Sequence, residues 1–489
     1  MLFNSLVFLI FFSVLMFLAF LCPQKWIKYL LLVASLIFYA WWYPPYLLML
    51  LALVYLDYYC CLQIEKSREQ ALQSGQVQGF GAKNYLVLSV VLHLLILFGF
   101  KYLHFFFSMF GYSLPENFRW SLPLGISFIT FHTLSCTIDV YRAQHPAPQK
   151  FTDLLYYVCF FPHLIAGPIL RLKDHWKDII NPSKPRMETL NSGIYLIFWG
   201  LAKKMLIADN LAPFVEKYFD HPESISSTGI AWLALYAFAV QIYCDFSGYI
   251  DTALGIAKIF SVKLPDNFNY PYFSRSITDF WRRWHITLSA WLRDYLYIPL
   301  GGNRHGTFMT YRNLMLTMLL GGLWHGANWT FVVWGGLHGL YLSLEKFFAQ
   351  FNRTNSPSFF KNLLKNEVLR RNPLNKNIKD LWKYFICFHA VCFAWIFFRA
   401  KDFSRAYNYT ISLFDLSKTS LGLDSSEAVQ IALLILMTLV FHLINYKFMI
   451  KNKINQMPIS YRLAYLLLMV VLITLFGVKQ EARFIYFDF

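Results

Sequence analysis

Charged side chains are scarce in this sequence of 489 residues, making up 15% of it where a typical soluble domain carries roughly 25%. That deficit excludes a soluble multidomain enzyme, whose surface needs far more polar cover. A composition that is 57% hydrophobic and 19% aromatic also excludes intrinsic disorder, collagen-like repeats and small disulfide scaffolds. The eight cysteines, Cys22, Cys60, Cys61, Cys136, Cys159, Cys244, Cys387 and Cys392, contain no C-x-x-C pair, and most sit in apolar runs. They read as small buried hydrophobes, and no metal site is expected. There is no G-x-x-x-x-G-K-[ST], no G-x-S-x-G, no H-E-x-x-H and no Rossmann glycine fingerprint. Phosphate-loop ATPases, serine-elbow hydrolases and zincins lose their usual support. No internal repeat, low-complexity tract or detachable soluble domain is visible, so residues 1–489 read as one integral membrane domain.

What the chain has instead is a series of apolar stretches near the ~20 residues that cross a bilayer. They cover residues 2–21, 28–43, 46–64, 84–110, 122–140, 190–207, 230–260, 314–347, 381–400, 428–446 and 463–478. The fold class expected is all-α, a polytopic membrane helical bundle with about eleven spans. The stretch 230–260 is long enough to expect a bend or a split. Residues 151–170 carry Pro162, His163, Gly167 and Pro168 in an apolar setting, which predicts a re-entrant segment rather than a straight span. No basic residue precedes 2–21 and no small-residue cleavage site follows, so a first span is expected rather than a signal peptide. Lys25 and Lys28 then place the N-terminus outside, and Trp41-Trp42-Tyr43-Pro44-Pro45 reads as an outer turn with an aromatic belt. The net charge of +17 collects in loops and in the basic stretch 346–380, as cytoplasmic loops beside anionic headgroups require. Nucleic acid is not expected as a partner.

Residues 270–339 hold the informative chemistry. At helical periodicity over 277–297, Trp281, Trp284, His285, Leu288, Leu292 and Tyr295 share an arc of about 100°. Asp279, Arg282, Arg283, Arg293 and Asp294 face the other way, which predicts an amphipathic interfacial helix. Its arginines suit lipid headgroups or a phosphate-bearing ligand equally, and His285 suits a hydrogen-bonded core position as well as a functional one. His325 lies inside an apolar span beside Gly321, Gly322 and Gly326. An ionisable group at membrane depth is a functional candidate, and a neutral imidazole can accept a proton near neutral pH. Along a straight helix His338 falls about 220° from His325, so it reads as structural and not as a co-ligand.

The strings Asp279–Tyr295 and Leu323–Gly339 resemble the membrane-bound O-acyltransferases, in their bacterial alginate O-acetylation branch. Pro123-Leu-Gly-Ile-Ser-Phe, Phe161-Pro-His-Leu-Ile-Ala-Gly-Pro-Ile, Gln241-Ile-Tyr-Cys-Asp-Phe-Ser-Gly-Tyr and Phe484-Ile-Tyr-Phe fit the same branch, so the resemblance covers nearly the whole chain. His163 departs from it, standing where a residue such as Gln is expected. The resemblance implies a helical bundle around a central funnel, in the bacterial inner membrane. It carries the family's active-site histidine onto His325 and its second histidine onto His285. Asn328, Trp324 and Arg283 are the accompanying candidates for substrate contact, Asn328 or the His285 ring as donors to an oxyanion. The implied reaction is acyl transfer from a cytoplasmic thioester, acetyl-CoA, to an exported polymer, with no permanently bound cofactor. Extracytoplasmic acetyltransferase proteins and polysaccharide machinery are the implied partners. Alginate, cellulose and peptidoglycan all lie within the branch. A transporter is the competing class, disfavoured by the missing inverted repeat. A non-catalytic scaffold for polysaccharide export is the third.

Overall fold

The computed structural model describes residues 1–74, 80–115, 120–354, 373–415, 417, 425–448, 456–478 and 484–485. All regular structure among them is helical. Six helices are long and apolar enough to cross a membrane: Pro44–Gln73, Gly81–Ser108, Thr228–Ile259, Leu381–Arg399, Ser426–Phe448 and Ile459–Phe476. Shorter helices occupy other expected spans, among them Leu6–Leu21, Ile27–Ala40, Ile126–Tyr141 and Met187–Ala202. The ends obey local chemistry. Ser5 accepts the backbone N–H of Phe8 at 3.2 Å to cap the first helix, and Pro44 and Pro45 start the third, where a missing N–H costs nothing. All eight cysteines are free, and all but Cys22 are buried. Residues 355–372, the middle of the basic stretch 346–380, lie outside the described residues.

Three expectations are corrected. The stretch 230–260 does not split: Thr228–Ile259 is one helix of 32 residues. The stretch 314–347 is two helices, Gly306–His325 and Trp329–Thr354. The stretch 277–297 is not one amphipathic helix either. It divides into Ile277–Trp281, a turn, Ile286–Leu292 and a wider π-type turn over Arg293–Tyr297. Residues 151–170 are broken as their prolines demand, into Phe151–Cys159 and Phe161–Leu164.

Two units interleave along the sequence. One contains Met1–Asn210, Tyr243–Asp266 and Lys451–Phe489; the other contains Leu211–Ile242 and Asn267–Ile450. Within the first, Asp57 is buried between helices, accepting the Ser89 hydroxyl at 2.6 Å and facing His93 Nε2 at 2.6 Å. Lys204 is likewise enclosed, 2.7 Å from both Asp209 and Asp245. Buried charges are tolerated here because each meets a countercharge or a hydroxyl. Helices Met187–Ala202 and Thr228–Ile259 cross where Gly200 meets Gly248. A Cβ added at Gly200 would lie 2.4 Å from the Gly248 carbonyl oxygen.

The second unit is organised by the pair Gly306–His325 and Trp329–Thr354, which run antiparallel across a link of Gly326, Ala327 and Asn328. Glycines bring the two backbones together. A Cβ at Gly322 would stand 2.3 Å from the Phe331 carbonyl oxygen, and one at Gly335 would stand 2.3 Å from that of Met318. In a bilayer, where hydrophobic burial between helices brings little, such close van der Waals contact is what holds helices together. Gly335→Ala is therefore expected to lower stability by about 1–3 kcal/mol, the usual cost of overpacking. Gly336→Ala serves as control, because its Cβ would meet only Leu319 Cδ2 at an ordinary 3.6 Å. Thermal midpoints of the purified variants in one detergent check this; equal midpoints for the two would refute the close-approach argument.

Candidate active site

His325 is the last residue of its helix and is 5% exposed. Three rings surround the imidazole edge-on: Trp324 at 4.8 Å and 75°, Trp334 at 5.0 Å and 87°, and Phe398 at 5.2 Å and 73°. The helix stops there because Gly326 is extended, with φ −161° and ψ 148°. A Cβ at Gly326 would overlap the Phe331 ring at 2.1 Å. Asn328 then starts the next helix. Its Oδ1 accepts the Thr330 N–H at 3.1 Å, while its Nδ2 donates to the Lys401 carbonyl at 2.8 Å. The residue considered as an oxyanion donor thus sits as a helix cap tied to a loop.

His285 reaches the same neighbourhood by another route. It has φ 43° and ψ 54°, the left-handed region, which costs a non-glycine residue roughly 1–2 kcal/mol. Hydrogen bonds to a neighbouring stretch offset that strain. Ile286 N–H donates to the Asn267 carbonyl at 3.0 Å, and Asn269 N–H donates to the Arg283 carbonyl at 2.9 Å. The Asn267 side-chain oxygen takes both the backbone N–H and the hydroxyl of Thr287, at 2.9 and 2.8 Å. These contacts, invisible to helical periodicity, are why the expected continuous helix breaks. Arg283, a candidate substrate contact, braces the same turn: its Nε meets Asp279 at 2.8 Å and its Nη1 the Asn269 carbonyl at 3.4 Å.

The result is that His285 is fully buried (0% exposed) with its ring 6.2 Å from Trp324. Trp324 therefore touches both candidate histidines. Burial pushes the His285 imidazole down from its ordinary value to about 3, so it is neutral at neutral pH.

The straight-helix angle between His325 and His338 does not apply, because one helix ends at His325 and the next starts at Trp329. Trp334 lies between the two imidazoles, 5.0 Å from His325 and 5.0 Å from His338. Trp334 and His338 are four residues apart on one helix face, a spacing that shows their pairing as soon as the helix start at Trp329 is known. Trp281 completes the group at 5.1 Å from His338. Trp395 and Phe398, which pack on Trp334 from the Leu381–Arg399 span, had no motif to mark them. Among the described residues no group of three or more His, Cys, Asp or Glu could hold a metal ion. What the arrangement can do is acid–base chemistry on neutral imidazole in an aromatic, water-poor setting.

Comparison with known proteins shows the family. A family model described as the membrane-bound O-acyltransferase family matches residues 140–366, which contain His285, His325 and His338. A probable alginate O-acetylase of Azotobacter vinelandii is 39% identical over 89% of this chain and 83% of its own length. A peptidoglycan O-acetyltransferase of Helicobacter pylori is 33% identical over 96% of this chain and 92% of its own. A teichoic acid D-alanyltransferase of Bacillus subtilis is 29% identical over 57% of this chain.

The left-handed backbone at residue 285 separates folding from chemistry. His285→Asn, a residue that enters this region readily, is expected to keep the fold. His285→Val, β-branched, is expected to cost about 2 kcal/mol or more. Paired thermal midpoints and folded yields test this, and equal tolerance of Asn and Val would show that the turn carries no strain.

Proposed function

This chain belongs to the membrane-bound O-acyltransferase family, and from that premise we propose that it transfers acetyl groups from cytoplasmic acetyl-CoA across the membrane for O-acetylation of an exported polysaccharide. It is an acyltransferase and a multi-pass membrane protein. The observation that carries the finer reading is His325, held by three aromatic rings at the break of a helical pair, with His285 across Trp324.

A hydroxyl is a poor nucleophile at neutral pH. In this reading the His325 imidazole takes the acceptor's proton as the oxygen attacks the thioester carbonyl. His285 stays neutral and orients the donor. Trp324 fixes the two rings relative to one another. The protein would work in the bacterial inner membrane, with extracytoplasmic partner proteins completing transfer to the polymer.

Alginate, or an exopolysaccharide like it, is the acceptor best supported, by the identity to the alginate O-acetylase relative. The broader coverage of the peptidoglycan O-acetyltransferase relative favours peptidoglycan as the second reading. The test is the acetyl ester content of exported glycans from cells carrying His325→Ala, with membrane levels of the protein confirmed. Ester loss of at least about tenfold is expected, since removing a general base costs ~10²–10⁴ in rate. Mass spectrometry of alginate-type polymer and of peptidoglycan from the same cells then identifies the acceptor. Unchanged esters with the protein present would remove His325 from the chemistry and bring a scaffold or transporter forward.

A further inference from the structure

The second unit contains a concentration of buried donors that it does not itself satisfy. The indole N–H groups of Trp281, Trp334 and Trp395, and both ring nitrogens of His338, are enclosed without a hydrogen-bond partner among the described residues. These groups belong to one cluster. The Trp281 and Trp334 rings lie 5.8 Å apart, each is within 5.1 Å of His338, and Trp395 stacks on Trp334 at 5.9 Å. His338 is 0% exposed, and Phe280 covers it face to face at 6.1 Å.

The donor count settles what kind of group could complete the cluster. An indole donates and never accepts, while a neutral imidazole donates once and accepts once. Three indoles and one imidazole therefore offer four donors and one acceptor, an imbalance that no rearrangement of the four rings removes. Each buried donor left unpaired costs about 1–3 kcal/mol, and N–H contact with a ring face recovers only part of that. The missing chemistry is a hydrogen-bond acceptor whose lone pairs several donors can share, which a carbonyl oxygen supplies. The Trp334 ring stands 5.0 Å from the His325 ring, so the donors adjoin the base.

We propose that Trp334 and His338 bind the carbonyl group of the acyl donor and stabilise the oxyanion formed there, an inference that rests on the reading of His325 as base. As the acceptor oxygen bonds to the carbonyl carbon, its proton passes to His325. The carbonyl electron pair moves onto the carbonyl oxygen, facing the Trp334 and His338 N–H groups. The pair returns to re-form the carbonyl as the carbon–sulfur bond breaks, and the thiolate takes the proton from His325. Donors placed for a developing oxyanion, rather than for the resting carbonyl, lower the barrier without tightening substrate binding equally. Trp281, next to both His338 and Trp334, extends the same donor surface.

The test uses the full chain. Trp334→Phe and His338→Phe keep a ring and delete the N–H, while His338→Asn restores a donor. Thiol release from acetyl-CoA by membranes containing the polymer machinery is expected to fall about 10²-fold in kcat for each Phe variant, the usual loss for an oxyanion donor. KM is expected to move by less than about threefold, with part of kcat recovered in His338→Asn, an outcome that mere packing would not produce. Isotope-edited infrared spectroscopy of acetonyl-CoA, a ketone analogue, bound to the unaltered protein in nanodiscs needs no variant. A ketone band shifted to lower frequency supports the site, and a band at its position in an apolar solvent overturns it. Phe variants within about threefold of the unaltered kcat overturn it too. His325→Ala run in parallel separates the two ideas. Lost transfer there with active Phe variants sinks the carbonyl site alone, whereas full transfer in His325→Ala sinks the base.

Discussion

Everything in the second unit depends on how closely two helices can approach. Gly322 and Gly335 let the Gly306–His325 and Trp329–Thr354 backbones meet at distances a single Cβ would forbid. Because the helices are pressed together, the link between them must turn within Gly326, Ala327 and Asn328. That turn places His325 at a helix end rather than in a helix middle, and faces it with Trp334 from the returning helix. The position of the imidazole is thus a consequence of missing methyl groups several residues away. Dispersion between backbones is weak per contact, but along a paired stretch it adds up, and the bilayer supplies no competing drive.

His285 answers a different constraint. A chain in a dry setting must satisfy every backbone N–H and carbonyl, and a helix is the default solution. Residues 283–287 use another, pairing with Asn267 and Asn269 instead of with their own turn. The left-handed residue this requires is the histidine itself, so strain is concentrated at a chemically active position, where it tends to be found when structure over-determines a site. Two unrelated local devices, a glycine-lined reversal and an asparagine-paired turn, therefore deliver two imidazoles to the same indole, that of Trp324.

These devices mark the boundary of what the sequence reveals. Bilayer thickness imposes length and apolarity on spans directly, so helices such as Ser426–Phe448 and Ile459–Phe476 are plain from hydropathy. The breaks are not, because residues 314–347 and 277–297 keep their apolar and aromatic periodicity straight through them. Hydropathy has no term for a Cβ meeting a carbonyl, or for Asn267 competing as a hydrogen-bond partner. Asn328 was half legible: an Asn two residues before Thr330, at the head of an apolar run, is a helix-start signal, but it reads as one only if the preceding helix has already ended. The aromatic walls supplied by Trp395 and Phe398 come from a span more than fifty residues away in sequence and were beyond reach of any local pattern.

Among the described residues both units leave some neutral buried groups unmet, the Tyr39 and Tyr156 hydroxyls in the first and the Trp281, Trp334 and Trp395 indoles in the second, and in the second these gather in one cluster beside His325. In the first, Asp57 is met by Ser89 and His93, and Lys204 by two aspartates. A chain able to arrange such pairs inside a membrane is under no necessity to leave indoles and an imidazole unmet. Phe in place of Trp281 or Trp334 would keep an aromatic ring, though a smaller one, without a polar atom to bury. Retaining donors that the protein does not itself use makes physical sense where something else uses them, and here they stand one ring away from His325. In an aromatic site of low polarity, hydrogen bonds to a developing negative charge are stronger than they would be in water. The cost of holding those donors unpaired is then part of the same arrangement that makes them effective when charge develops.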